Sequence, residues 1–205
     1  EVVLARAVDI EFPEAIDPRL VAARLIDLSA NRDGFIADLS PAGRPGAMLV
    51  GSSPEVLVKR QGSTVSAFPL AGSSPRRALA AEDHLAGQDL LHSSKDLHEH
   101  AFVVDHLRRA LTPLCERLDI PDVPQLISTN EMWHLGTPIS GTLKDKDLTA
   151  LELALAVHPT PAICGTPAEA AQALIETAET DRGFYAGAVG WCDSSGDGEY
   201  MVAIR

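Results

Sequence analysis

The chain has 205 residues, 45% of them hydrophobic, with 29 acidic against 17 basic side chains and a formal charge of −12 at pH 7. Length and apolar content suffice for one sizeable core, while the acidity argues against a nucleic-acid partner, because phosphate binding relies on clustered Lys and Arg. Apolar runs such as "AMLV" (47–50) stop far short of the ~20 residues a bilayer span requires, so no membrane partner is expected.

In chain order, "EVVLARAVDIEF" (1–12) is rich in β-branched residues, alternates in part and stops at Pro13, which predicts a strand. "DPRLVAARLIDLSA" (17–30) predicts a helix with Asp17 as N-cap, Pro18 at the first helical position and apolar residues at helical spacing. "GFIADL" (34–39), "AMLVGSS" (47–53), "VLVKRQ" (56–61) and "TVSAFPL" (64–70) are short and strand-like, separated by Gly, Pro and Ser as in an antiparallel meander. From about residue 78 to 118 the period is helical, with Ser93 or Ser94 able to cap the stretch "KDLHEHAFVVDHL" (95–107). "PQLISTNEMWHLGTPISGTL" (124–143) returns to strand and turn character, and 148–157 and 166–179 read as helices. "GFYAGAVGWCD" (183–193) and "EYMVAIR" (199–205) form a hairpin around "SSGDG". The succession points to one α+β domain over 1–205, with large, mostly antiparallel sheets flanked by helices. A terminal apolar strand with no following turn predicts that the native fold continues beyond Arg205.

Four constellations can carry chemistry. Asp96 and Glu99 stand three residues apart at the head of an apolar stripe through Val103 and Leu107. That spacing suits acids that stabilise a helix N-terminus, and equally a Mg²⁺ site of one or two carboxylates completed by water and ligand oxygens. Glu55, after the turn "GSSP", is either an exposed acid at a strand start or, if buried, a proton donor. In "PLAGSSPRR" (69–77), Gly72, Ser73 and Ser74 offer donors for a carboxylate, with Arg76 and Arg77 adding charge; a plain surface turn fits as well, and P-loop spacing is missing. The proline-rich "HPTPAICGTP" (158–167) shapes a pocket wall or simply breaks two helices. The histidines lack zinc spacing and read mostly as solvated or hydrogen-bonded. Cys115, Cys164 and Cys192 are odd in number and widely spaced, and no leader opens the chain, which fits reduced thiols in a cytoplasmic protein.

In order, "VVLAR", "GSSPE", "PLAGS", "KDLHEH", "QLIST…MWHLGTPISG", "HPTPAICGTP", "DRGFYAGAVGWCD" and "VAIR" resemble the chorismate-utilising enzymes, isochorismate synthases above all, over essentially the whole chain. The resemblance implies a Mg²⁺-dependent isomerisation of chorismate to isochorismate, feeding siderophore, salicylate or menaquinone synthesis, by a cytoplasmic monomer. It implies Glu99 as metal ligand with Asp96 beside it through water, and Glu55 as the acid that protonates the departing hydroxyl. Gly72 and Ser73 are implied to hold one substrate carboxylate, Tyr185 and Arg205 the other, and His134 to line the ring site. Two positions separate subfamilies. Ala71 stands where aminodeoxychorismate synthases typically carry Lys, and Ala162 where salicylate synthases tend to carry Thr, so water addition is favoured over amination and over lyase chemistry. A salicylate synthase-type lyase, or a catalytically impaired chorismate-binding homologue, remains the alternative.

Glu1 departs from the pattern, because the family's water-activating base at that position is a Lys. A carboxylate is a weak base at neutral pH and repels a dianionic substrate. The resemblance also implies further sequence at both ends, including a helix with more metal-ligating Glu, so residues 1–205 alone are expected to hold Mg²⁺ weakly.

Overall fold

A computed structural model describes residues 1–29 and 33–204. Helix α1 (Pro18–Leu28) begins as the sequence predicts, with the Asp17 carboxylate accepting from the Arg19 amide 2.9 Å away. Strands β1 (Phe35–Asp38) and β2 (Met48–Gly51) pair antiparallel as a separate ribbon. The hairpin of β3 (Val56–Gln61) and β4 (Thr64–Phe68) belongs instead to the main sheet. The expected meander is thus two hairpins in different layers.

The main sheet is six-stranded and antiparallel throughout, in the order β10-β11-β3-β4-β9-β6. Its further strands are β6 (Cys115–Asp119), β9 (Ile139–Leu143), β10 (Ala188–Cys192) and β11 (Gly198–Val202). A second sheet, β5-β8-β7, joins β5 (Leu70–Pro75), β7 (Gln125–Ser128) and β8 (Met132–Gly136). The α+β class with mostly antiparallel sheet follows directly from these pairings.

Helix α2 (Ala80–His92) packs on β5 and β8, α3 (Ser94–Leu111) on β5, and α4 (Ala150–Val157) on β3 and β11; α5 (Ala168–Ala178) lies beyond the pocket loop. One core unites Leu57, Val58 and Val65 of the sheet with Val103, Leu107 and Leu111 of α3 and Leu153 and Val157 of α4. The stripe that begins at Asp96 is therefore the inward face of α3. Ser93 is its N-cap, with Oγ accepting from the Asp96 amide at 3.3 Å.

Three expectations fail in instructive ways. Residues 1–12 form no strand; their β-pairing is the isolated bridge Val2 to Gly165, and Val8, Ile10 and Phe12 are exposed. β-Branched composition marks a chain that fits a sheet but supplies no partner edge. Residues 69–77 are not a turn. Leu70–Pro75 of this stretch are β5, whose register shifts between Leu70 and Ser73 around Gly72, at φ 79°. Helical periodicity also ran too far, since Pro113 ends it in a short 3-10 turn and residues 115–119 become β6.

Candidate active site

Three elements converge on a cavity of about 210 Å³: the start of β3, the bulged β5 and the first turns of α3. The loop 158–165 closes a further wall. Glu55, Gly72, Ser73, Glu99, Ala162 and Glu1 all line this space, so six of the residues singled out from sequence, scattered from position 1 to 162, meet at one place.

Each is held for a local reason. Glu55 is 4% exposed, and its carbonyl accepts from the Val202 amide, which ties the acid to the main sheet. Glu99 lies on the α3 face one turn above the fully buried Val103, so its carboxyl emerges at the cavity rim, with a side chain 32% exposed. Gly72 sits so close to α3 that an added Cβ would lie 3.1 Å from Cβ of Asp96 and 3.2 Å from Cδ1 of Leu135. Only glycine combines that approach with its positive φ. Ala162 presents a methyl group to the cavity from the proline-stiffened loop.

Glu1 reaches the site through backbone pairing. Its backbone nitrogen donates to the Thr166 carbonyl at 2.8 Å and its carbonyl accepts from the Thr166 amide at 2.9 Å. Arg182 and Glu179 clasp the following residues: Nη2 of Arg182 donates to the Val3 carbonyl at 2.7 Å, and Oε1 of Glu179 accepts from the Ala5 amide at 2.6 Å. The side-chain hydrogen bonds from Arg182 hold the Glu179 carboxyl down at a pKa of about 2.

Other candidates take different places. Asp96 does not line the cavity; it packs against Gly72, and its carboxylate accepts from the Ser93 hydroxyl. His134 lies behind the lining, 1% exposed, with Nδ1 2.7 Å from the Ser73 hydroxyl. It meets the bulged strand β5 at Ser73 and does not line the cavity. Tyr185, 46% exposed, faces a larger neighbouring groove with His158, Ile163 and Arg182. Arg76 supplies no charge here, because its guanidinium is engaged with Asp83 and lies 4.4 Å over the Trp133 ring. That engagement, led by the Arg76 hydrogen bonds, brings the Asp83 carboxyl down to about 2. Arg205 lies outside the described residues.

Two residues at the site escaped the sequence reading. Lys95 places Nζ 2.8 Å from Oε1 of Glu99 and 3.8 Å from Oδ1 of Asp96, and these acids, Glu99 first, raise its pKa. The i, i+4 spacing announced that pair. His100 is 3% exposed, with Nδ1 3.1 Å from the Ala71 carbonyl and Nε2 2.7 Å from the Thr137 hydroxyl. Burial pushes its pKa down, which favours the neutral ring. Helical spacing from Asp96 put it on the inward stripe, but it was read with the other histidines.

Among the described residues, no three His, Cys, Asp or Glu side chains gather to hold a metal ion. The acidic head of α3 still suits Mg²⁺, which takes one or two carboxylates and keeps water or ligand oxygens elsewhere. A cationic ammonium already bridges those two acids.

The profile for "Chorismate binding enzyme" matches residues 1–205. The chain belongs to the chorismate binding enzyme family. It is 46% identical to the Bacillus subtilis isochorismate synthase DhbC over all of this chain and 52% of that protein. It is 41% identical to the Escherichia coli K12 isochorismate synthase EntC, over all of this chain and 51% of that protein. The solved structure of MenF, the menaquinone-specific isochorismate synthase of Escherichia coli, superposes with a TM-score of 0.78 at 25% identity, covering 90% of this chain and 41% of that one. The chain thus spans about half the length of the curated relatives it matches. The cavity between Glu55 and Glu99 gathers six of the residues singled out from sequence, whereas the larger groove holds Tyr185 of that set.

Proposed function

We propose that the protein to which these residues belong converts chorismate to isochorismate, by adding water at one ring carbon while a hydroxyl leaves from another. The observation that carries this reading is the shared cavity of Glu55, Glu99, Gly72, Ser73 and Ala162, in a chain with isochorismate synthases among its relatives. Such a reaction needs a proton donor for the departing hydroxyl and a base for the incoming water on opposite faces of the ring. Glu55, buried and facing the cavity, is the donor. Residue 1, reaching the same cavity from the loop 158–165 side, is the position of the base. The Gly72–Ser73 backbone and hydroxyl hold a substrate carboxylate, with His134 fixing the hydroxyl from behind.

Glu99, with Asp96 behind it, would hold Mg²⁺, which supplies the positive charge that a carboxylate needs in a protein of net charge −12. Tyr185 and Arg205 belong to the other carboxylate in this reading. Ala162 and Ala71, both lining the cavity, put no hydroxyl or ammonium at those two positions to favour pyruvate elimination or amination. A cytoplasmic monomer acting in siderophore or menaquinone supply completes the proposal.

Glu1 favours a second reading, in which the site binds chorismate but activates water poorly, because a carboxylate stands at a position lining the same cavity as Glu55 and Glu99, where it is a weak base and repels a dianion. The experiment incubates full-length protein with chorismate and Mg²⁺, with and without ammonia, and separates the products. Isochorismate is expected. Salicylate with pyruvate places the protein among the lyases, and anthranilate overturns the reading of Ala71. No product from the native protein, with isochorismate from Glu1→Lys, establishes the impaired binder.

A further inference from the structure

The carboxylate turn and the acidic helix come from strands and helices distant in sequence, and one side chain joins them. His100 immediately follows Glu99 on α3, is buried to 3% exposure, and places Nδ1 3.1 Å from the carbonyl of Ala71. A carbonyl oxygen only accepts, so Nδ1 carries the hydrogen and donates. Nε2, 2.7 Å from Oγ1 of Thr137, is then the acceptor of that hydroxyl's hydrogen. Thr137 is itself 1% exposed, so this tautomer is locked from both sides in a space without water competition. Ala71 is the residue before Gly72, whose φ of 79° sets the direction of the Gly72 and Ser73 backbone towards the cavity.

We propose that His100 is a positioning residue for substrate: its Nδ1–H fixes the Ala71 carbonyl, and so holds the bulged turn 71–73 at a set distance from Glu99. This inference rests on the proposed role of Gly72 and Ser73 in holding a carboxylate. The turn departs from regular pairing between Leu70 and Ser73, so it lacks the ladder bonds that would otherwise hold it. His100 replaces them. It touches neither ring nor metal, and acts through the backbone it anchors.

Two substitutions separate the halves of the bridge. His100→Asn can put its amide NH2 where Nδ1–H was and keep the bond to Ala71, whereas His100→Gln reaches the Nε2 position and loses it. Thr137→Val removes only the Thr137 hydroxyl. Full-length wild-type protein and these three variants would be titrated with chorismate in the presence of Mg²⁺, following binding heat, with KM and kcat measured alongside and thermal melting as a check of folding. His100→Gln is expected to weaken chorismate binding and raise KM by roughly fivefold to tenfold, the equivalent of one lost hydrogen bond, with kcat changed much less. His100→Asn and Thr137→Val should stay within about threefold of wild type in affinity, although Thr137→Val melts lower. Equal losses in Asn and Gln variants, or a loss confined to kcat, overturn the positioning role. If His100→Gln does not fold, a loss of more than about threefold in folded His100→Asn still overturns the role; if His100→Asn does not fold, unchanged affinity in His100→Gln does. Wild-type protein that binds no chorismate overturns the functional reading and this inference together, whereas wild-type binding with unchanged affinity in His100→Gln overturns this inference alone.

Discussion

Nζ of Lys95 lies 2.8 Å from Oε1 of Glu99, so the acidic head of α3 already carries one positive charge before any ligand arrives. Lys95 is 74% exposed on its side chain, and an exposed pair of this kind adds little to stability. Its effect on a second cation is larger. Lys95→Met should leave the melting temperature unchanged and tighten divalent binding by roughly twofold to tenfold at low ionic strength, the difference shrinking in high salt. Calorimetric titration with Mg²⁺ at two salt concentrations checks this.

Ser73 and His134 make a second prediction. Removing the hydroxyl in Ser73→Ala deletes a 2.7 Å hydrogen bond to a buried ring. It should cost about 1 kcal/mol in denaturant unfolding. Chorismate affinity should fall further than stability does, because Ser73 lines the cavity in which chorismate is proposed to bind.

Two glycines test how tightly the site is framed. A Cβ on Gly165 would lie 2.3 Å from the Glu1 carbonyl, and the residue has φ 127°. Gly165→Ala should therefore detach residues 1–3 from the loop, seen as faster amide exchange at Val3 and Thr166, and lower the unfolding free energy by roughly 1–3 kcal/mol. Gly72→Ala meets Asp96 and Leu135 and should impair chorismate binding more than folding.

Acid should loosen the clasp at Arg182. Glu179 has its carboxyl pKa lowered from 4.5 to about 2, chiefly by the Arg182 hydrogen bonds, and Asp83 is brought from 3.8 to about 2 by Arg76. A depressed folded-state pKa stabilises the fold fully above the unfolded value and loses that contribution as pH falls towards the folded value. Stability should thus decline from about pH 4.5 down to about pH 2. Glu179→Gln should be less stable at neutral pH and show a shallower decline across that window, measured by unfolding at stepped pH.

Much of this was legible in sequence, for physical reasons that differ by element. Helical spacing from Asp96 to Leu107 identified the buried face of α3, and capping chemistry located Asp17 and Ser93, because these are local effects. The site's membership was legible only through ordered motifs, since nothing in local spacing brings Glu55 beside Glu99. The bulge at Gly72 looked like a turn, because a strand and a turn use the same residues when a positive φ interrupts the ladder. The burial of His134 behind Ser73, and the bridge made by His100, depend on how β5, β8 and α3 stack. No single segment encodes that.

The most direct test of the site is chorismate affinity as a function of Mg²⁺ concentration, in full-length wild-type protein and in Glu99→Gln, by equilibrium titration. A divalent ion seated on Glu99 predicts that Mg²⁺ tightens chorismate binding by about tenfold or more in the wild type, and leaves the variant nearly unresponsive. The same Mg²⁺ dependence in Glu99→Gln as in wild type would contradict it.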